Sequence, residues 1–564
     1  MSTIEEKIGK IKEKLSNIDT IALLMHAHRL FIPTGNSPEE LTDSFKTQKK
    51  TKLKSPMMQY KYLIGLLLST DYKGGDSNLG KLSKRTINNL EYGIERITNE
   101  YQKIFLIAAS NNIESSKETK DKLLAAFQDF SDYFYNSSLK YPEQEEFLIK
   151  RIYGSFDDKV DEKFSLVAQD FLDFYHFVNS QLEKSFADAD DTIKMIFDTF
   201  KEKSSFESQK ELDDFINKNI DRSRISKAIS NLCCIRASNL EAKFGTEKAK
   251  ALLDLFAIKR ERRDFTYFNS DNPFSKKPLV FIDEDRIFVT YPSWILDSIY
   301  ELLDETFKND NKISKHKGVV AEDLSAELLV KILGSEAIVH RNVCEKPGTD
   351  EHDLLIEYKN YILISETKAS KHREPLFNPD KAIKRFYDHF FSDSGIGYAY
   401  YQAIKLKKYI ESNNKTTLFE SKAKKFVIED IDKKQVIPIV LTLERFGSIA
   451  ANPSTLIKEE KGQPLPWVSD IADLGCISEI FEYLGKNGDD FIGYLQCRIS
   501  KQKQIFVNDE LEILEYYFEG ELNNLNPSIV YFFEPKQLSL MDYIYFTKMG
   551  IPYIYNSPLV KNNS

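Results

Sequence analysis

One stretch decides the fold: Asp353-Leu-Leu-Ile-Glu-Tyr-Lys-Asn-Tyr-Ile-Leu-Ile-Ser-Glu366-Thr-Lys368. Two apolar, strand-forming runs flank Lys359-Asn360, a polar pair that suits a tight turn, so the stretch predicts a β-hairpin. With this pair as the loop, Asp353 lies opposite Glu366, where Cβ atoms are roughly 4.5–5.5 Å apart and like charges repel. Side chains alternate along a strand, so Lys368 lies on the same face as Glu366. Two carboxylates and an ammonium group at one end of an apolar hairpin predict a divalent-metal site.

Length and composition indicate a globular protein of several domains. The chain has 564 residues, 41% hydrophobic and 29% charged, which is too long for one core and predicts about three domains. No apolar run approaches the roughly 20 residues that span a bilayer. The amino terminus does not resemble a secretory signal, and the five cysteines follow no disulfide or zinc spacing. We therefore expect a cytoplasmic protein without membrane association. The net charge of −9 argues against an overall basic nucleic-acid-binding protein, but not against a local basic patch.

The pattern of apolar residues predicts a multidomain fold with four regions. Residues 1–265 show helical periodicity and predict a large all-α domain, which is a candidate surface for a protein partner or for homo-oligomer formation. Residues 266–312 predict a β-hairpin followed by a helix, as a connector. Residues 313–460 predict an α/β core with the order αββαβ and a mixed sheet. Residues 461–564 predict a small α+β region.

The tripeptide Glu366-Thr-Lys368 indicates a functional site only because of the sequence that precedes it. Acid-x-Lys tripeptides recur elsewhere in the chain, in charged stretches where a solvated surface is the simplest interpretation. Glu366-Thr-Lys368 instead ends an apolar run, where an unpaired buried charge is very costly. A structural ion pair between Glu366 and Lys368 is the alternative, but it leaves Asp353 without a partner.

A fourth residue comes from the helix predicted over residues 318–333. On a helical projection Glu322 falls between Leu329 and Leu333, inside the apolar stripe. Glu327 falls on the polar face, four residues before Lys331, where it is solvated and has an ion-pair partner. We therefore predict that Glu322, rather than Glu327, belongs to the site.

The order of these residues resembles that of the PD-(D/E)XK nuclease superfamily: a helix carrying Glu322, then Asp353, then Glu366-Thr-Lys368 at the end of the next strand. The resemblance covers residues 313–450 and rests on short motifs placed in the right order. A proline often precedes the first aspartate in this family, and His352 stands there in this chain. The resemblance implies a restriction-endonuclease-like core.

The resemblance also implies the chemistry of the site. Asp353, Glu366, Glu322 and the backbone carbonyl of Thr367 would hold Mg²⁺ or Mn²⁺, which prefer oxygen ligands. The ion would activate a water molecule and neutralise charge on a phosphodiester. Lys368 would position the attacking water and stabilise the transition state.

Basic residues beside this site predict contact with a phosphate backbone. Between residues 366 and 410, nine Lys and Arg stand against five acids, an excess that suits phosphate binding. An ordinary solvated helix face is the alternative for those on the predicted helix. The candidates for nucleic-acid contact are Lys371, Arg373, Lys384, Arg385, Gln402 and Lys405, and Gln402 also stands where several such nucleases carry an active-site Gln or Lys.

The expected function is a metal-dependent endonuclease that hydrolyses phosphodiester bonds, with double-stranded DNA as substrate. The resemblance further implies a role in prokaryotic, antiviral defence against foreign nucleic acid. Two alternatives stay open. One is a catalytically weak scaffold subunit that binds nucleic acid or protein, which metal-dependent plasmid cleavage would distinguish. The other is a metal-dependent RNase, which a comparison of RNA and DNA substrates would distinguish.

Overall fold

In the computed structural model the chain divides into two units. The first contains residues 1–34, 48–97 and 141–309, and the second contains residues 35–47, 98–140 and 310–564. The structure describes residues 3–32, 51, 53–74, 82–111, 141–201, 208–219, 225, 228, 231–268, 271–369, 390, 395–421, 424–455, 457, 459–507, 510–533, 539–551, 555 and 557–560. Across these described ranges, no helix has both the length and the apolar character needed to cross a membrane.

Helices dominate the first part of the chain, as its periodicity predicts. The first helix begins after Thr3, whose side chain accepts a hydrogen bond from the Glu6 N–H, and it buries Ile8, Ile11 and Leu15 along one face. The helices before residue 257 are α1 (Ile4–Leu15), α2 (Thr20–Phe31), α3 (Pro56–Leu68), α4 (Lys84–Asn111), α5 (Pro142–Tyr153), α6 (Asp157–Phe164), α7 (Ala168–Lys201), α8 (Gln209–Asn219), α9 (Ala237–Phe244) and α10 (Thr246–Phe256).

The prediction of an all-α region over residues 1–265 is wrong in one respect, because this region contributes two strands to a sheet. Strands β1 (Cys234–Arg236) and β2 (Ala257–Ile258) join β3 (Leu279–Phe281) and β4 (Arg286–Val289) in the order β1-β4-β3-β2. Strands of two or three residues are too short to show periodicity, and their partners lie outside the region. The predicted connector hairpin is present as β3 and β4, and the short helix α11 (Pro273–Lys276) and α12 (Ser293–Phe307) flank it.

A seven-stranded mixed sheet forms the centre of the second unit. It follows α13 (Asn311–Leu333), which begins after the capping side chain of Asp310 and ends at Gly334, whose φ is 81°. The sheet order is β11-β10-β7-β6-β5-β8-β9. Its strands are β5 (Ile338–Cys344), β6 (His352–Tyr358), β7 (Tyr361–Lys368), β8 (Thr416–Glu420), β9 (Lys424–Ile428), β10 (Gln435–Thr442) and β11 (Trp467–Asp470).

The predicted hairpin is observed in the predicted register. Strands β6 and β7 are antiparallel, with Leu354 opposite Ser365 and Tyr358 opposite Tyr361. The turn residue Lys359 has a φ of 49°, as a tight two-residue turn requires. The paired register ends at Leu354 and Ser365, one pair short of Asp353 and Glu366, so the predicted placement of these two acids opposite each other stays a prediction.

Helix α14 (Ile396–Glu411) follows β7 in the sequence and packs on both β7 and the parallel strand β10, with β8 and β9 lying between the helix and β10 along the chain. One apolar cluster joins Ile362 and Ile364 of β7 to Ala403 and Leu406 of the helix. Even-numbered residues of β7 therefore face α14. The predicted helix, hairpin, helix and strand over residues 313–460 are all present.

The sequence does not predict β5, β8 and β9, and the boundary at residue 460 falls inside the sheet. Strand β5 contains Asn342 with a φ of 50°, which departs from strand geometry, and β8 and β9 lie at the edge of the sheet, where apolar alternation is weak. Strand β11 pairs in parallel with β10, so the sheet continues past the predicted boundary. The remaining elements are α15 (Ser448–Ala451), α16 (Ile471–Leu484), α17 (Gly488–Lys501), β12 (Ile505–Phe506), α18 (Glu510–Phe518), β13 (Tyr531–Phe532) and α19 (Leu540–Lys548), and α16 and α17 pack against α13.

Candidate metal centre

The carboxyl-terminal end of β7 carries the three residues of the predicted tripeptide. Glu366 is fully buried, and Lys368 lies two residues further on the face that α14 covers. Thr367 faces the opposite helix, because its Oγ1 contacts Ser325 Oγ of α13 at 3.2 Å. The end of this strand is therefore the place where groups from α13, β6 and α14 come together.

Glu366 is the most deeply buried acid of the group. Its Oε1 lies 2.6 Å from His352 Nδ1, whereas its Oε2 is buried and has no hydrogen-bond partner. Burial raises the pKa of the Glu366 carboxyl to about 8; the charge of Lys368 opposes this shift and that of Glu322 adds to it. A carboxylate oxygen in this situation is a ready ligand for a cation.

Asp353 ends the ladder between β6 and β7. Its Oδ2 accepts a hydrogen bond from the backbone N–H of Thr367 at 2.6 Å. Burial raises the pKa of Asp353 to about 7, the charge of Glu366 raises it further, and the Thr367 N–H lowers it. The structure thus places Asp353 within electrostatic reach of Glu366, as the sequence predicts.

Glu322 approaches from α13. It is half-buried, whereas Glu327 of the same helix is exposed, in agreement with the helical projection. Burial raises the pKa of Glu322 to about 7, and the charge of Asp353 is the next contribution. Three carboxyl groups from three elements therefore share one partly dehydrated region.

Lys368 is the cation of this region. Its Nζ donates a hydrogen bond to Gln402 Oε1 at 2.9 Å, and it lies 5.8 Å from the centre of the Tyr398 ring. Gln402 and Tyr398 are four residues apart on α14, so one face of that helix fixes the ammonium group. Gln402 thus contacts the site through Lys368, and its predicted part in nucleic-acid binding stays a prediction.

The predicted nucleic-acid contacts are placed only in part. Lys405 lies on α14 and forms an ion pair with Asp350 at 3.1 Å, where both side chains are exposed and the pair is weak. Lys371, Arg373, Lys384 and Arg385 lie outside the described residues. The Thr367 backbone carbonyl as a metal ligand stays a prediction.

Sequence reasoning missed His352 as a contact of the site. Its side chain is 1% exposed, and burial lowers the pKa of its imidazole. The only sequence signal was its position next to Asp353, which gave no indication of a bond to Glu366. Tyr398 and Ser325 were missed for the same reason, since their contacts depend on how two helices pack on the sheet.

The carboxylate oxygens of this site fit a hard divalent cation that is bound by few protein ligands. Within the described part of the chain, no three His, Cys, Asp or Glu side chains form a ready-made cation cage. Mg²⁺ commonly binds through one or two carboxylates and keeps several waters, with substrate phosphate as a further ligand. The unpaired Glu366 Oε2 and the neighbouring Asp353 meet that smaller requirement.

Comparison of the chain with protein-family models, with curated proteins and with solved structures finds no match. The function of this protein is therefore inferred from the residues of the site.

Proposed function

We propose that the second unit is a metal-dependent nuclease that hydrolyses phosphodiester bonds, with DNA as the expected substrate. The observation that carries this proposal is the pair of buried acids Asp353 and Glu366 at the end of β7, with one buried oxygen of Glu366 unpaired and with Glu322 and Lys368 within electrostatic reach. The order of these residues along the chain, which resembles that of PD-(D/E)XK nucleases, supports the same reading.

Electrostatics supports a cation as the ligand of this group. Each of the three acids has its pKa raised by burial, and each has another acid of the group among the causes. The charges of Lys368 and Arg341 oppose these shifts only in part, and uncompensated buried charge is costly. Glu366 and Asp353 would hold Mg²⁺ or Mn²⁺, and Glu322 would complete the shell directly or through water. A bound divalent ion supplies a water of lowered pKa and neutralises negative charge on the phosphate.

Lys368 is the side chain of this protein that would act directly on the phosphate and on the attacking water. Gln402 holds its ammonium group by a hydrogen bond of 2.9 Å, so its position is fixed before substrate arrives. A preorganised cation stabilises charge that develops on a phosphate without reorganisation at the moment of reaction. Lys368 also carries donors that can orient an attacking water. These two tasks match the residue types that the tripeptide provides.

The proposed substrate surface consists of basic residues near the site. Lys405 is exposed and forms a weak ion pair, and Lys371 and Arg373 directly follow β7 in the sequence, with Lys384 and Arg385 further along. Contacts of this kind bind the phosphate backbone and carry no sequence information. They favour nucleic acid over a small phosphodiester, and DNA is the first substrate to test.

The test is cleavage of plasmid DNA, linear DNA and RNA by the purified full-length protein, with Mg²⁺, Mn²⁺ or EDTA. Lys368→Ala is expected to abolish cleavage, while Lys359→Ala, a lysine in the turn at the other end of the same hairpin, is the matched control. Cleavage of RNA alone would change the substrate class and retain the chemistry. The absence of cleavage of all three substrates with both metals, or full activity of Lys368→Ala, would reject the proposal.

A further inference from the structure

A buried imidazole shares one oxygen of the central carboxylate. His352 is the first residue of β6, and its Nδ1 lies 2.6 Å from Glu366 Oε1, with each side chain 1% exposed. His352 pairs with Val343 of β5, so its backbone is fixed by the neighbouring strand. The imidazole ring that contacts Glu366 is therefore held in place by a strand of the sheet.

This bond leaves Glu366 with one occupied and one free oxygen. Oε1 is engaged by the imidazole, and Oε2 is buried without a partner. A carboxylate whose first oxygen is held has little freedom to rotate, so the second oxygen is presented in one orientation. Partners that orient a metal ligand in this way typically change metal affinity or activity 10–100-fold when they are removed.

We propose that His352 is a positioning residue, which donates its Nδ1–H to Glu366 Oε1 and so directs Oε2 toward the divalent cation. This inference rests on the proposed function, since it assigns a role at the same site. His352 is not itself assigned as a ligand. Its Nδ1 is already bonded to Glu366, and Nε2, which is also buried without a partner, projects from the other side of the ring.

The test compares two substitutions that differ in the donor alone. His352→Asn keeps an N–H close to the position of Nδ1, and His352→Leu removes it. His340→Leu is the matched control, because His340 is another buried imidazole in the same sheet, on β5, stacked on Phe426 at a centroid distance of 3.8 Å. Binding of Mn²⁺ to each purified full-length protein, without nucleic acid, is measured from the electron paramagnetic resonance signal of the free ion. Circular dichroism checks that each variant is folded.

We expect His352→Leu to weaken Mn²⁺ binding roughly 10–100-fold, while His352→Asn and His340→Leu bind close to the unmodified protein. A folded His352→Leu that binds Mn²⁺ as tightly as the unmodified protein overturns the inference. So does a His352→Asn that binds as weakly as His352→Leu, because the donor would then not be the cause.

The same measurement separates this inference from the proposed function. If the unmodified protein binds no Mn²⁺, the metal site is absent and both proposals fall. If the unmodified protein binds Mn²⁺ and Glu366→Ala abolishes binding, but His352→Leu has no effect, only the role of His352 is rejected.

Discussion

In the metal-free protein, the second unit is expected to lose stability as the pH rises through the range in which Glu366 should ionise. The pKa of Glu366 is raised from 4.5 to about 8, so the folded state holds a proton that the unfolded state has already released. Folding then binds protons, and stability falls with pH by up to about 1.4 kcal/mol per pH unit for one such group. Glu366→Gln does not titrate at this position, so only the part of the slope that Asp353 contributes should remain.

The size of this loss of stability follows from the width of the pH range between the pKa of Glu366 in the unfolded state and its pKa in the folded state. Between about pH 5 and pH 8, the unmodified protein should lose on the order of 2–4 kcal/mol relative to Glu366→Gln. Asp353, whose pKa is raised to about 7, titrates together with Glu366, so the slope belongs to the pair. Under the proposed function, Mg²⁺ would bind only the folded, ionised site and should restore stability at the upper end of the range.

The chain offers a clean optical probe for this experiment. It has two tryptophans, Trp294 in the first unit and Trp467, 1% exposed, in the second. In a Trp294→Phe background, Trp467 fluorescence follows urea unfolding of the second unit alone. Unfolding curves are measured in EDTA at a series of pH values, with the exposed Glu327→Gln as the matched control. If Glu366→Gln shows the same pH dependence as its background, the reasoning about the buried carboxyl is refuted.

Three further results are expected. Glu322→Gln should lower metal-dependent cleavage roughly 10–100-fold, because it removes the third carboxylate of the group, whereas Glu327→Gln should cleave normally; equal rates for the two variants in a single-turnover assay would contradict this. Gln402→Leu should lower kcat more than it raises KM, since Gln402 holds Lys368 and does not need to touch substrate; steady-state kinetics decide, and a change confined to KM would place Gln402 in substrate binding instead. The Mg²⁺ concentration for half-maximal cleavage should fall steeply from about pH 6 to pH 8, because protons compete with the ion for acids of raised pKa; a concentration independent of pH would argue against these acids as ligands.

The hairpin and the Glu322 helix were predictable because each depends on local rules. The polar pair Lys359-Asn360 fixes a two-residue turn, and the turn alone determines the register in which Leu354 lies opposite Ser365. Helical periodicity alone distinguishes Glu322 from Glu327. These two rules place each acid on one face of its own element, and the packing of the helix on the hairpin then brings the elements together.

What could not be predicted depends on contacts between distant segments. Strand β11 joins the sheet only because β10 offers a free edge, so no local pattern marks residue 460 as an interior position. His352 reaches Glu366 where the ladder with β7 ends, and the Asp353 carboxylate, rather than a backbone carbonyl, takes the Thr367 N–H. The alternation of side chains along a strand does not predict that a side chain will take the place of a backbone hydrogen bond between two strands.

The second unit itself shows how this protein buries a carboxylate that has only a structural task. Glu510 is fully buried, and its two oxygens accept hydrogen bonds from Trp467 Nε1, Tyr494 Oη and Arg498 Nε. One guanidinium faces one carboxylate, and both oxygens are satisfied, as expected for buried charge that has been compensated.

Glu366 differs from Glu510 in each of these respects. It shares a single lysine with two other acids, its one close partner is an imidazole, and its Oε2 has no partner. The same sequence therefore contains a satisfied buried carboxylate and an unsatisfied one in the same unit. A purely structural role explains the first and leaves the second unexplained, whereas a divalent cation supplies the missing positive charge and the missing partner at once.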